Sequence, residues 1–262
     1  MSQTEEDARQ KRFLETPQGE KGSGAVRYAA AMYLFQRGQM SERDLEFYRA
    51  RSKVDGVSPI TQLLAESERY IGGLDCAGRA EVLDGITRWS QGAFAPVTPK
   101  QLPVLLHLAP ALAAMKDRPL ATAIEAAAPL LRWVTYPYEG QNIGERFPQQ
   151  HAFATLIGEY GPCKAPDFDI GLFLIAPHTF YRDHHHKAPE LYAPLTGPHG
   201  WRFAPDAPME QLAADVPVWN PSYRHHATLV GDVPFLAFYC WTRDVNEGAQ
   251  VIHCSDWKKI EG

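Results

Sequence analysis

Tyr181-Arg182-Asp183-His184-His185-His186-Lys187-Ala188-Pro189-Glu190-Leu191-Tyr192 is the stretch that decides how the chain is read. Seven of the ten histidines fall between His178 and His226, where uniform scatter would put about two. Alternate residues of a strand project to one face, so His184 and His186 can share a face while His185 points away. A turn around Lys187–Pro189 then starts a new strand that returns Glu190 and Tyr192, again two apart, to the same interior. Two imidazoles and a carboxylate are donors for one divalent transition metal, with Zn²⁺, Fe²⁺, Mn²⁺ and Ni²⁺ all open. A fourth ligand has to come from elsewhere, and His225 and His226 stand just before the next strand pattern.

The flanks have β character. Ile170–Ala176, ended by Pro177, and Phe235–Trp241 are short apolar runs between turn residues, the pattern of a sandwich or small barrel. Upstream the period is helical. Residues 1–22 are expected to be a flexible leader, and 23–135 an α-helical region. Within that region Ser41 and Ser58 are placed as helix caps, and helical spacing runs through Ala80–Trp89 and Leu120–Leu131. Pro103 and Pro110 leave the helix over Leu102–Met115 uncertain. Residues 136–262 are expected to be the β domain. Helices first and strands later give an α+β class.

With 45% hydrophobic and 22% charged residues and a net charge of -5, the 262-residue chain has the balance of an ordinary globular protein. No dense Lys/Arg run favours nucleic acid, and no run of eighteen apolar residues favours a membrane. The four cysteines are dispersed, no export signal is visible, and a cytoplasmic setting is expected.

The spacing is similar to the cupin pattern. Its first motif is matched by His184, His186, Glu190 and Gly197, and its second by Pro221 and His226, with His225 as the outward neighbour. The stretch from Gly171 to Gly197 resembles the bacterial cupin-type dimethylsulfoniopropionate lyases, as do Gly158–Pro162 and His226-Ala227-Thr228 with the strand that ends at Trp241. The resemblance covers about Phe153 to Asp244. Arg182, Thr228 and Trp219 depart from the family pattern.

The resemblance implies a C-terminal cupin barrel, a double-stranded β-helix or jelly roll, with His184, His186, Glu190 and His226 as metal ligands. It also implies β-elimination on a small zwitterionic carboxylate, with Tyr192 as base and Tyr181 as the second candidate. Trp201, Trp219, Tyr223 and Trp241 are candidates for an aromatic wall facing the sulfonium. His178 and His199 stand near the motif loops. A cupin dioxygenase or isomerase and a non-catalytic binding cupin are the rival readings. A homodimer is an option by analogy with other cupins.

Overall fold

The computed structural model describes residues 3–15, 24–52, 58–90, 94–95, 97–100, 102–136 and 138–261. Much of the expected leader, residues 1–2 and 16–22, lies outside them, while Gln3–Glu15 is a helix. The helices are α1 (Gln3–Glu15), α2 (Gly24–Gln36), α3 (Glu42–Ser52), α4 (Pro59–Gly72), α5 (Arg79–Trp89), α6 (Leu108–Ala114) and α7 (Arg118–Ala127). The chain divides into two compact units, residues 1–67 with 117–131, and residues 68–116 with 132–262. The units therefore interleave along the sequence.

In the first unit α2 packs on α1, α3 and α7. Its core holds Leu14, Ala30, Ala31, Leu34 and Leu45. The serine caps form as read. The Ser41 hydroxyl accepts from the Asp44 N–H at 3.2 Å, and the Ser58 hydroxyl from the Thr61 N–H at 3.1 Å. Asp117 caps α7 by accepting from the Leu120 N–H at 3.1 Å.

The second unit carries ten strands. They are β1 (His151–Ile157), β2 (Asp169–Ile175), β3 (Phe180–His185), β4 (Glu190–Pro194), β5 (His199–Arg202), β6 (Glu210–Leu212), β7 (Val218–Asn220), β8 (His226–Leu229), β9 (Phe235–Trp241) and β10 (Gln250–Val251). A short helix, α8 (Trp257–Glu261), follows. The strands form two five-stranded sheets, β1-β2-β9-β4-β7 and β10-β3-β8-β5-β6, with every strand pairing antiparallel. One core lies between them, built from Phe173, Tyr192, Val218, Phe235 and Tyr239 of the first sheet and Tyr181 and Trp201 of the second. This is the double-stranded β-helix of a cupin, and with the helices it makes the chain α+β. The first strand opens at His151, so residues 138–150 approach the barrel without being strands of it.

On its outer face the first sheet buries Ile170, Leu172, Leu174, Leu236, Phe238 and Cys240 completely. A 3-10 turn at Pro103–His107 lies against β2, and α6 lies against β9. The apolar run Leu102–Met115 is thus a tight turn followed by a short helix. Pro103 and Pro110 stand in first-turn positions, where a missing N–H costs nothing. No helix among the described residues is long and apolar enough to cross a membrane.

Two buried histidines give the fold an acid limit. The His151 Nδ1–H donates to the Phe147 carbonyl at 2.6 Å, and Nε2 accepts from the Tyr136 N–H at 3.0 Å. His199 accepts at Nδ1 from the Gly231 N–H at 3.2 Å, with Nε2 beside the Thr196 hydroxyl at 3.3 Å. Both rings need the neutral form, and burial pushes each down to about 4. A lowered histidine pKa contributes stability that is complete above the unfolded value near 6.5 and lost as pH falls toward the folded value. Unfolding titrations are therefore expected to show stability falling between about pH 6.5 and 4, by roughly 3 kcal/mol for each ring. A flat profile across that window would refute the assignment.

Candidate active site and metal centre

The strand register builds the site. His184 pairs with His226 across β3 and β8, so both rings enter the interior side by side with centroids 4.0 Å apart. His186 follows β3 and faces the same way. Glu190 opens β4, and its Oε2 lies 3.0 Å from His186 Nε2 and 3.5 Å from His226 Nε2. Ligand atoms of His184, His186 and His226 lie within 4.8 Å of one another. All four residues are at most 3% exposed.

The outer nitrogens fix how the rings point. Each Nδ1 donates to a backbone carbonyl: His184 to Arg182 at 2.8 Å, His186 to Ala188 at 2.7 Å and His226 to Arg224 at 2.9 Å. Every Nε2 lone pair is thereby directed inward. Nε2 of His184 and of His226 have no hydrogen-bond partner although buried. Acceptor lone pairs and a carboxylate converging on one point are unfavourable unless something positive sits among them. Burial depresses the pKa of His184 and His226, which keeps them neutral and available as ligands. Burial opposes ionisation of Glu190, and positive charge at the facing His186 and His226 nitrogens, brought by a proton or an ion, holds its carboxyl below the usual range. The donor set fits a divalent cation. A divalent transition metal at a free concentration a hundred times Kd is expected to add about 2.7 kcal/mol of stability, reversed by a chelator. His226→Ala should abolish that gain, and a gain that survives would place the ion elsewhere.

Tyrosines surround the histidine cluster. Tyr181 is stacked on His184 at 3.9 Å between centroids. Three residues apart, they would sit on opposite faces of a regular strand. The ladder slips by one residue between Tyr181↔Thr228 and His184↔His226, and this bulge returns both to the interior. The Tyr181 hydroxyl is hydrogen-bonded to that of Tyr138. Tyr192, two residues after Glu190, has its ring 5.4 Å from Trp201 and 6.1 Å from His226. Burial, then the Glu190 charge, pushes the Tyr192 hydroxyl well above the usual 10.

Of the residues read as an aromatic wall, Trp241 and Trp201 face the interior. The Trp241 indole donates to Glu190 Oε1 at 2.8 Å and lies 4.6 Å from the His186 ring. Trp219 and Tyr223 are corrections. Trp219 pairs with Leu191, and Glu190 pairs with Asn220, so the indole takes the outer face and packs against Gly78. Tyr223 is 49% exposed, with its hydroxyl on Glu247 at 3.2 Å. His185 and His225 point away from the interior as read, His225 Nε2 lying 2.5 Å from Asp183. His178 is largely exposed.

Tyr138 and Asn220, both interior, were not singled out from sequence. Tyr138 comes from a loop 43 residues before Tyr181, at φ 45°, a conformation uncommon for a residue with a side chain. Asn220 is fully buried, opposite Glu190, with both amide atoms unpartnered. A buried polar group without a partner costs on the order of 1–3 kcal/mol, so this amide is placed to meet a ligand or water.

The profile of the dimethylsulfoniopropionate lyase family matches residues 87–237. The chain belongs to this family. A putative dimethylsulfoniopropionate lyase DddL from Cereibacter sphaeroides is 28% identical over 146 residues, 55% of this chain and 61% of that protein. The chain thus spans about three-fifths of the length of the curated relative it matches. Among solved structures, DMSP lyase DddQ from Ruegeria pomeroyi DSS-3 is similar at 25% identity and TM-score 0.57, over 74% of this chain and 95% of that one. A chain from the crystal structures of the DMSP lyases RdDddP and RnDddQII has TM-score 0.60 at 22% identity, over 74% of this chain and 98% of that one, a likeness of fold. The family match spans His184, His186, Glu190, Tyr192 and His226.

Proposed function

We propose that this chain is a metal-dependent carbon–sulfur lyase that splits dimethylsulfoniopropionate into dimethyl sulfide and acrylate by β-elimination. The observation that carries the reading is the meeting, in one buried layer, of unpartnered imidazole nitrogens with Glu190 and with Tyr192 two residues beyond it. His184, His186, Glu190 and His226 would hold one divalent ion, and Zn²⁺, Fe²⁺, Mn²⁺ and Ni²⁺ all suit the donors. Such an ion supplies Lewis-acid stabilisation of the charge that builds on the substrate carboxylate as the α-proton leaves.

The chain's own groups do the rest. Tyr192 takes the proton from the carbon next to the carboxylate. The freed electron pair forms the double bond, the carbon–sulfur bond breaks, and sulfur leaves with its pair as neutral dimethyl sulfide. Tyr192 can be a phenolate near neutral pH only where positive charge in the ligand cluster offsets burial and Glu190. Tyr181 is the weaker base candidate because its hydroxyl is engaged with Tyr138. Trp241 steadies Glu190 and offers its ring to the sulfonium. Asn220 is placed to orient the carboxylate end. We set the reaction in the cytoplasm, where the four free thiols would stay reduced.

The test is headspace dimethyl sulfide from protein loaded separately with Zn²⁺, Mn²⁺ or Fe²⁺ and given dimethylsulfoniopropionate. Metal-dependent release, lost in His186→Ala, supports the reading. Tight metal binding with no release from any form would exclude this substrate.

A further inference from the structure

The elimination described above needs nothing from Asp169, a carboxyl that the barrel holds with hydroxyl partners and no cation among them. It opens β2 and pairs with Trp241 of β9, which pairs in turn with Glu190 of β4. Residues directly opposite on neighbouring strands share a face, so Asp169, Trp241 and Glu190 form one row across the interior. The side chains agree. The Tyr239 hydroxyl donates to Asp169 Oδ1 at 3.1 Å, and the Trp241 indole donates to Glu190. Gly171, the next inward residue on β2, leaves room for this, since a Cβ there would meet the Tyr239 ring at 2.8 Å.

Ordinary folds usually set a cation beside a carboxylate that looks into a barrel interior. Among the described residues none of the ion pairs reaches Asp169. The titratable groups that act on it are Tyr239 and Glu159, neither of them positive. Burial pushes its pKa up to about 7, though hydrogen bonds from Tyr239 and Thr155 work the other way. The row is reachable from solvent. On β1, β2 and β9 the inward residues Phe153, Thr155, Asp169 and Trp241 are only half-buried, while their outward neighbours Ala152, Ala154, Ile170 and Cys240 are at 0% exposure.

We propose that Asp169 is the counter-charge for the cationic end of the substrate, so that the site selects a zwitterion by gripping both ends. This rests on the reading of the chain as a lyase for dimethylsulfoniopropionate. Two ladder steps separate the backbones of Asp169 and Glu190 by about 10 Å, and both side chains reach inward from that separation. Three bonds separate the carboxyl carbon of the substrate from its sulfur. With the carboxylate held at the ligand cluster, the sulfonium falls in the stretch between Glu190 and Asp169, alongside the Trp241 ring. The missing positive charge of the Asp169 environment then arrives with the substrate. Ligands carrying a carboxylate but no cation gain nothing from Asp169.

Calorimetry on the full metal-loaded chain tests this, in a Tyr192→Phe background so that substrate persists. Dimethylsulfoniopropionate and acrylate are the probes, compared with and without Asp169→Asn. The expected result is a rise of at least tenfold in Kd for dimethylsulfoniopropionate with a change under twofold for acrylate. In the catalytically intact chain, Asp169→Asn should raise KM by a similar factor with kcat within threefold, and Asp169→Glu should recover part of it. Unchanged Kd for dimethylsulfoniopropionate overturns the proposal, and so does a parallel loss for both ligands, which would mark general damage to the interior. If the parent chain binds acrylate and metal but neither binds nor cleaves dimethylsulfoniopropionate, the lyase reading itself fails, an outcome distinct from the other two.

Discussion

Replacing Tyr192 by phenylalanine is expected to lower dimethyl sulfide release by a factor of about 100 to 10,000, the usual worth of a positioned general base. Bound metal per chain should stay at the wild-type level. The substitution keeps the ring, which is 3% exposed and packed beside Trp201, and removes only the hydroxyl. The packing cost is therefore small, and the change falls on proton removal. Tyr181→Phe is the informative companion. That hydroxyl is bonded to Tyr138, so its loss leaves Tyr138 without that partner and should cost far less rate. A large loss in Tyr181→Phe with near-normal activity in Tyr192→Phe would exchange the roles. Loss of metal in Tyr192→Phe would mean that the hydroxyl supports the ligands instead. Release followed by headspace chromatography, with metal content measured on the same samples, separates these outcomes.

The histidine cluster could be read in sequence because its geometry is local. His184 on β3 and His186 just past its end are two apart, and Glu190 and Tyr192 repeat that spacing after a short turn. Strand period alone brings each pair to one face. Tyr181 entered the site through the family spacing, since the bulge that turns it inward is a property of the β3–β8 pairing and leaves no mark in either strand. Trp219 was misread for the same kind of reason. In Val218-Trp219-Asn220 the large aromatic looks like the interior residue, but register with β4 sets Val218 and Asn220 inward. The loop between Asn220 and His226 breaks the alternation, so counting back from the ligand gives no warning. Tyr138 is remote in sequence and sits on an irregular backbone, beyond the reach of any periodicity. Asp169 stands at the start of an apolar run, where a carboxylate reads as a solvent-facing strand end. Only the neighbouring strands show that it looks inward.

The layer behind the histidine cluster was also invisible in sequence, and it carries the largest expected effect on stability. Arg202→Leu should destabilise the barrel by about 3–5 kcal/mol, the cost of removing one partner from a buried ion pair. Arg202 on β5 and Asp183 on β3 both have side chains at 0% exposure. The guanidinium donates through Nε to Asp183 Oδ1 at 2.8 Å, makes a second bond to the other oxygen, and reaches Asp256 at 2.6 Å. Asp183 also accepts from Trp257 Nε1 at 2.7 Å and lies 2.5 Å from His225 Nε2. Asp183 precedes His184, and His225 precedes His226, so the network ties together the backbones of β3, β8 and α8. Burial raises the Asp183 pKa, but the bonds from His225, Arg202 and Trp257 outweigh it and hold the carboxyl well below the usual carboxylate range. A depressed carboxyl contributes stability that is complete above about pH 4 and lost only as pH falls through its folded value. Without Arg202 the same carboxyl is a buried charge lacking its main partner, and it protonates at a higher pH. The stability gap between wild type and Arg202→Leu should then be widest near pH 7 and narrow as pH is lowered toward 4. Urea titrations at the two pH values measure both quantities, and a gap under 1 kcal/mol at pH 7 would sink the account. The variant should also release metal faster than wild type, because strands that lose their shared anchor hold His184 and His226 less firmly in line.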